Sequence, residues 1–191
     1  MEQLELAAVV FGLANIVLLV RRSIWNFPFG IAMVSLYAII FLDQRLYAQA
    51  GLQLFFAVVQ IYGWVLWARA RGASDAVAVG WFGWPARAGW LAFVAAATLA
   101  LGAGLAGLAD AAAPYPDAAI AAASIAAQVL LSLRRIETWL LWIAVDAAAI
   151  WLYTSRDLHL TAGLYAAFLV LSAVGLREWA RAAERQRGAA A

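Results

Sequence analysis

The chain has 191 residues, with no cysteine, no lysine, one histidine and only four prolines, and 13% of its residues are charged. The absence of cysteine excludes a disulfide scaffold and a thiolate metal site, and one histidine cannot form a histidine cluster. A retinal protein is excluded because its Schiff base needs a lysine. Soluble domains average ~25% charged residues, so this composition fits neither a water-soluble enzyme nor a disordered chain.

Apolar sequence is what the chain has in excess, since 67% of its residues are hydrophobic. A membrane-spanning helix needs ~20 apolar residues, so this length allows roughly six to eight spans. Seven continuous apolar stretches are separated by charged or Pro/Gly-containing breaks, and their lack of period-two alternation excludes a barrel. We therefore predict an all-α integral membrane protein with spans at residues 4–20, 24–42, 50–67, 88–108, 118–133, 138–154 and 160–176.

The 13 basic residues are all arginines, and their positions predict an orientation. The loops between seven spans alternate between two sides of the membrane. Eleven arginines fall on one side, and only Arg45 and Arg156 fall on the other. Because cytoplasmic loops carry the excess of Lys and Arg, we expect the N-terminus outside and the C-terminus in the cytoplasm. The first helix lacks the basic start and cleavage site of a signal peptide, so we expect it to be retained.

The sequence also resembles itself at a constant spacing, so that position 20 pairs with position 132 and each later position pairs in the same way. This spacing is called the repeat offset below. Between residues 20–70 and their partners at 132–182, 15 of 51 positions are identical. The repeat offset predicts two parallel three-helix repeats, at residues 4–70 and 118–180, joined by a linker helix at 88–108 and followed by a tail at 181–191. Parallel repeats are a transporter architecture, with the binding site near the midplane of the membrane. The alternative is a structural duplication without a transport path. Identical pairs include Arg22 with Arg134, Gly63 with Gly175, and Trp67 with Trp179.

Polar and aromatic side chains inside the predicted spans are candidate binding residues, because polar groups are costly in lipid. Helical spacing places these side chains in stripes on spans 2, 3 and 6. Convergent stripes would form an aromatic cavity for a flat, hydroxyl-bearing and cationic heteroaromatic solute. The candidates are Asn26 and Tyr37 on span 2, Gln53, Phe56, Gln60 and Trp64 on span 3, and Trp139, Trp142 and Asp146 on span 6.

Each candidate also has a structural interpretation. Trp139 lies at a helix end, where a residue of the aromatic belt is equally expected, and Gln60 could make an interhelical hydrogen bond. Asp146, the only carboxylate deep in the predicted membrane region, could bond a neighbouring helix, bind the solute or serve as the proton site of a symporter. No nucleotide or metal motif is found, so we expect no cofactor. The glycines predicted to be close-packing points are Gly30, Gly51, Gly63, Gly163 and Gly175.

Several segments together resemble the PnuC-type family of vitamin transporters. They lie at residues 25–30 (WNFPFG), 46–48 (LYA), 52–53 (LQ), 62–67 (YGWVLW) and 137–146 (ETWLLWIAVD), and the resemblance covers roughly residues 5–180. It implies substrate contact by Trp139 and Trp142, which form a Trp-x-x-Trp pair, and by Gln53. Phe56 stands where the family often has a tyrosine.

The resemblance implies a function as well as a fold. It implies facilitated diffusion of nicotinamide riboside across the bacterial inner membrane to supply NAD synthesis, in a SWEET-like fold of three, one and three helices. It also implies a homotrimer and a cytoplasmic kinase that traps the imported substrate. We expect neither enzymatic activity nor a nucleic-acid partner. Relatives that carry thiamine, riboflavin or deoxynucleosides leave the vitamin open, and a non-transporting membrane scaffold or sensor is the alternative from another class.

Overall fold

The computed structural model describes residues 2–43, 47–70, 77–107, 114–155 and 159–189. These residues form seven α-helices and no β-strand, as the predicted all-α class requires. Each helix lies at one of the seven apolar stretches, so the prediction of seven helices is confirmed. The helices are α1 (Glu2–Val20), α2 (Asn26–Asp43), α3 (Tyr47–Ala70), α4 (Trp84–Ala106), α5 (Pro114–Ser132), α6 (Glu137–Thr154) and α7 (His159–Gly188).

Within the described part of the chain, four helices are long and apolar enough to cross a membrane. They are α2, the Ala50–Ala70 part of α3, α4 and α5, and α1 adds a shorter apolar segment, Leu6–Val20. α7 differs from its prediction because it continues twelve residues beyond 176, through the first part of the predicted tail. This extension is amphipathic: Trp179 and Ala182 are buried, whereas Arg177 and Arg181 are exposed. Packing of its apolar face keeps the extension helical after the hydrophobic run has ended.

The chain forms two compact units. The first unit comprises Met1–Gly80, Leu131–Arg134 and Arg177–Ala191, and therefore holds α1, α2, α3 and the last part of α7. The second unit comprises Trp81–Leu130 and Arg135–Leu176, and holds α4, α6, most of α5 and the first part of α7. Candidate binding residues occur in both units.

α1 and α5 end in the same unusual turn. Arg22 and Arg134, which are partners at the repeat offset, have positive φ angles of 57° and 59°. This left-handed conformation is normally supplied by glycine at the end of a helix. In each turn the following N–H donates to the carbonyl five residues earlier, at 3.0 Å from Ser23 and 2.9 Å from Arg135. The repeat in the sequence is therefore matched by a repeat of backbone conformation.

A short non-helical segment at residues 77–80, called the strap below, contacts both turns within the first unit. The Val77 N–H donates to the Arg22 carbonyl at 3.5 Å, and the Gly80 N–H donates to the Arg134 carbonyl at 3.2 Å. Val77 is 2% exposed, so the strap is part of the interior of this unit. The strap therefore joins the ends of α1 and α5.

The Arg22 side chain also hydrogen-bonds the strap. Its Nη1 donates to the Val77 carbonyl at 3.2 Å. The side-chain amide of Gln186 on α7 lies between the strap and Arg22. With its nitrogen towards the strap, it donates to the Val79 carbonyl at 3.1 Å and accepts from Arg22 Nη1 at 3.2 Å. Burial and the neighbouring charge of Arg185 lower the pKa of the Arg22 guanidinium. The α7 extension is thus bonded to both the strap and the turn after α1.

A buried carboxylate fixes the start of α4 in the second unit. Oε1 of Glu137, in the first turn of α6, accepts from the Phe82 N–H and from Arg87 Nε, each at 2.8 Å. The Arg87 guanidinium lies 5.1 Å and 5.5 Å from the ring centroids of Trp81 and Trp84, within cation–π range. These groups, called the Glu137 clasp below, tie the start of α4 to the start of α6.

Candidate functional site

Side chains from α1 and α3 meet at Gly30 of α2, inside the first unit. Gln60 on α3 is only 5% exposed. A Cβ atom added to Gly30 would lie 2.6 Å from Asn15 Nδ2 on α1 and would collide with Gln60 Oε1. Because glycine has no Cβ, the two amides can approach the backbone of α2 this closely. The first unit therefore contains an amide cluster formed by the half-buried Asn15, the buried Gln60 and the backbone at Gly30.

Asn26 is bonded within the turn between α1 and α2. It is 1% exposed, and its Nδ2 donates to the Ser23 carbonyl at 2.7 Å. The main-chain carbonyl of Asn26 accepts from Asn15 Nδ2 at 2.7 Å. These two bonds fix the entry into α2 and support the structural interpretation of Asn26.

In the second unit, a buried carboxylate lies one helical turn after a tryptophan on α6. Asp146 is 4% exposed, and its Oδ2 accepts from Ser172 Oγ on α7 at 3.0 Å. Trp142 is half-buried and precedes Asp146 by four residues, so both lie on one face of α6. An indole face and a carboxylate at this spacing can bind a flat cation, the first through its π system and the second through its charge.

Trp139 is packed against a glycine on α7. It is fully buried, and a Cβ atom added to Gly175 would lie 2.5 Å from three atoms of its ring. At the equivalent positions of the sequence repeat, a Cβ atom added to Gly63 would lie 2.8 Å from the Phe27 ring and 2.6 Å from Ser132 Oγ. A residue of the aromatic belt would be exposed, so this burial disagrees with the belt interpretation of Trp139. The contact instead fixes the indole, three residues before Trp142.

Gly175→Ala is expected to lower the melting temperature of the purified protein by roughly 2–12 °C. The new methyl would collide with the Trp139 ring, and overpacking of this kind costs ~1–3 kcal/mol. About 1 kcal/mol shifts the midpoint by roughly 2–4 °C in a chain of this size. The control is Gly163→Ala on the same helix, where no described atom lies within 4 Å of the added Cβ. Equal melting temperatures for the two variants would show that the Trp139 contact is loose.

The other candidates on α2 and α3 are less buried. On α3, Gln60 is buried, but Trp64 is 39% exposed. The next buried residue after Gln60 on this helix is Gly63, which is not part of the predicted stripe. The predicted α3 stripe is therefore buried only in part. On α2, Tyr37 stacks on Phe41 with ring centroids 5.9 Å apart. The half-buried candidates on α2 and α3 are Tyr37, Gln53 and Phe56.

Ser172 bonds the candidate residue Asp146 and Glu137 forms the clasp at the start of α4, yet neither is among the residues predicted from the sequence. A charged residue beside a loop is ordinarily solvated, so only the burial of Glu137 reveals its role. A signal for Ser172 was present, because it is the partner of Gln60 at the repeat offset.

Among the residues that the structure describes, no group of three or more His, Asp or Glu could hold a metal ion.

Known proteins resemble the chain over nearly its whole length. The "Nicotinamide riboside transporter PnuC" of Escherichia coli (strain K12) is 27% identical over 213 residues, which cover 98% of this chain and 89% of that protein. The "Riboflavin/roseoflavin transporter RibM" of Streptomyces davaonensis is 26% identical over 174 residues, which cover 89% of this chain and 81% of that protein. The structure described as "Crystal structure of the Vitamin B3 transporter PnuC" matches with a TM-score of 0.77 and 27% identity, over 96% of this chain and 83% of that one.

The helical fold, the helices of membrane-spanning length and these relatives define a multi-pass membrane protein of a transporter class. Residues 2–181 match the sequence profile of the family described as "Nicotinamide mononucleotide transporter". The chain belongs to this family, and the resemblance to PnuC-type transporters is thereby confirmed.

Proposed function

We propose that the protein carries nicotinamide riboside across the bacterial inner membrane by facilitated diffusion and so supplies NAD synthesis. The observation that carries this proposal is the pair of Trp142 and Asp146 on α6, in a chain aligned over 98% of its length with a nicotinamide riboside transporter. Nicotinamide riboside joins a flat, cationic pyridinium ring to a ribose. The indole can stack on the ring and the carboxylate can neutralise its charge.

The proposal includes a parallel arrangement of three, one and three helices, with α4 as the linker. Its support is the repeat offset, together with matching left-handed turns at Arg22 and Arg134. The contacts of Gly63 with Phe27 and of Gly175 with Trp139 repeat at the same offset. The proposed orientation has the N-terminus outside and the C-terminus in the cytoplasm, and the eleven-to-two division of the arginines across seven crossings supports it.

A homotrimer and a cytoplasmic kinase complete the proposal, and both are supported by the family resemblance. Facilitated diffusion moves a solute only down its gradient, so phosphorylation of the imported riboside by a separate enzyme would maintain an inward gradient. We assign no enzymatic activity to the chain, because its family is a family of transporters and its sequence contains no nucleotide-binding motif.

Riboflavin is the second candidate substrate, and the similarity to RibM favours it. Its flat ring could stack on Trp142 as well. The ring is neutral, however, so it would gain no charge attraction from the Asp146 carboxylate, whereas the cationic riboside would. The buried carboxylate therefore favours the cationic riboside over riboflavin.

Binding of a panel of vitamins to the purified protein tests the proposed substrate. Isothermal titration would compare nicotinamide riboside, thiamine, riboflavin and a deoxynucleoside in the same detergent. We expect nicotinamide riboside to bind with a Kd between about 1 μM and 1 mM, equivalent to ~4–8 kcal/mol, and the other compounds to bind more weakly. Tighter binding of thiamine or riboflavin would reassign the substrate. A folded protein that binds none of them would favour the scaffold or sensor.

Trp142→Ala is expected to raise the Kd for nicotinamide riboside by about fivefold or more. Stacking of a cationic ring on an indole contributes ~1 kcal/mol or more, and ~1.4 kcal/mol corresponds to a tenfold change in Kd. Trp151→Ala is the matched control, because Trp151 lies on the same helix but is 64% exposed. An unchanged Kd in folded Trp142→Ala protein would remove Trp142 from the binding site.

A further inference from the structure

Two tryptophans in the first unit make crossed hydrogen bonds between the two copies of the sequence repeat. Trp67 Nε1 on α3 donates to the Leu131 carbonyl at the end of α5, at 3.3 Å. Trp179 Nε1 on α7 donates to the Leu19 carbonyl at the end of α1, at 3.1 Å. Trp67 and Trp179 are partners at the repeat offset, and so are Leu19 and Leu131. Each indole is thus bonded to the first helix of the other copy.

The two indole rings are also in contact with each other. Their centroids are 5.8 Å apart, and both residues are fully buried. Phe27 packs edge-on against Trp67 with centroids 5.2 Å apart. Because Trp67 and Trp179 hold equivalent positions of the sequence repeat, their ring contact joins the two copies directly.

The crossed bonds can break without leaving a buried carbonyl unpaired. The Leu19 carbonyl also accepts from the Arg22 N–H at 2.8 Å, and the Leu131 carbonyl also accepts from the Arg134 N–H at 2.9 Å. An unpaired buried carbonyl is costly, but these two keep a backbone donor when the indole leaves. The left-handed arginine turns therefore keep both carbonyls hydrogen-bonded when the indoles leave.

We propose that Trp67 and Trp179 form the cytoplasmic gate of the transport path, closed in this structure by their ring contact and two crossed hydrogen bonds. The proposal rests on the transport function, the parallel repeat arrangement and the membrane orientation proposed above. In a transporter with parallel repeats, the solute site lies at the repeat interface, about an axis along the membrane normal, so a contact that closes this axis blocks the path. Release of solute to the cytoplasm then requires both rings to separate.

A single reporter thiol tests the gate, because the chain contains no cysteine of its own. Ser132→Cys places the thiol next to Leu131, at a fully buried position. The measured quantity is its rate of modification by a membrane-impermeant methanethiosulfonate, in inverted vesicles for the cytoplasmic face and in spheroplasts for the outer face. Phenylalanine at positions 67 and 179 keeps a ring but removes the N–H donor. The matched control is Trp25→Phe, since Trp25 lies in the same unit and is 60% exposed.

We expect Trp67→Phe with Trp179→Phe to raise the rate in inverted vesicles by roughly tenfold, which is the effect of losing two ordinary hydrogen bonds. Each single substitution should raise the rate by about threefold, and these variants decide the question if the double variant fails to fold. An unchanged rate, or an equal rise in Trp25→Phe, would overturn the gate. A rise confined to spheroplasts would overturn its cytoplasmic assignment. Titration of the Ser132→Cys parent with nicotinamide riboside tests the proposed function separately, because binding does not depend on the reporter rate.

Discussion

Replacing Asp146 with asparagine is expected to raise the Kd for nicotinamide riboside by roughly 10- to 100-fold. Asparagine keeps the size of the side chain and an oxygen that can accept from Ser172 Oγ, but it removes the negative charge. Bonds to charged groups contribute ~1.5–3 kcal/mol, and ~1.4 kcal/mol is a factor of ten. The burial of Asp146, at 4% exposure, removes the water that would otherwise screen this charge. Isothermal titration of the purified variant measures the effect.

Two further variants separate a binding role from a structural one. Asp117→Asn makes the same chemical change in the first turn of α5, and its Kd should equal that of the parent. Ser172→Ala keeps the carboxylate and removes one hydrogen bond, so its Kd should rise by only about two- to tenfold. A parental Kd in folded Asp146→Asn protein would make Asp146 a structural residue. If Asp146→Asn instead binds normally but loses a proton-dependent component of uptake, the protein is a symporter and uniport is wrong.

Replacing Glu137 with alanine is expected to lower the melting temperature by roughly 6–12 °C. The substitution leaves Arg87 Nε and the Phe82 N–H without their shared acceptor. Removing one partner of a buried ion pair costs ~3–5 kcal/mol, and the 30% exposure of the Arg87 side chain places this pair at the lower end. About 1 kcal/mol corresponds to roughly 2–4 °C in a chain of this size. A thermal scan of the protein in detergent provides the measurement.

Glu178→Ala is the matched control for the Glu137 clasp. Glu178 pairs with Arg181 on α7 at 3.3 Å, but the two side chains are 43% and 46% exposed. Exposed pairs contribute ~0–1 kcal/mol, so this variant should melt within about 4 °C of the parent. A Glu137→Ala protein as stable as the Glu178→Ala protein would show that the clasp does not hold the start of α4.

Seven helices could be located from the sequence because charged or turn-forming residues interrupt every apolar stretch. The end of α1 at Val20 is predicted to the residue, since two arginines follow it directly. The end of α7 is missed by twelve residues, because hydropathy falls at Arg177 while the helix is maintained by packing of Trp179, Ala182 and Ala183. Hydropathy thus locates the membrane-spanning part of a helix but not an amphipathic extension.

Some candidate residues could be identified from the sequence, but their contacts could not. Asp146 could be identified from the sequence because a carboxylate inside an apolar run is costly and therefore informative. Its bond to Ser172 joins residues 26 positions apart, and the Glu137 clasp joins residues 50 positions apart. Such contacts depend on how helices pack, which no local pattern encodes. Only the repeat offset carries information over that range, and it correctly relates Gly63 and Phe27 to Gly175 and Trp139.

Uptake of labelled nicotinamide riboside into proteoliposomes is the most direct test of the proposed function. Purified protein in lipid vesicles without ATP should give saturable uptake that stops when the internal and external concentrations are equal. That uptake should be unaffected by an imposed pH gradient and should be lower in Trp142→Ala and Asp146→Asn than in the Trp151→Ala and Asp117→Asn controls. Uptake no faster than in protein-free vesicles, from protein that is folded and correctly inserted, would contradict the assignment of nicotinamide riboside as the transported substrate.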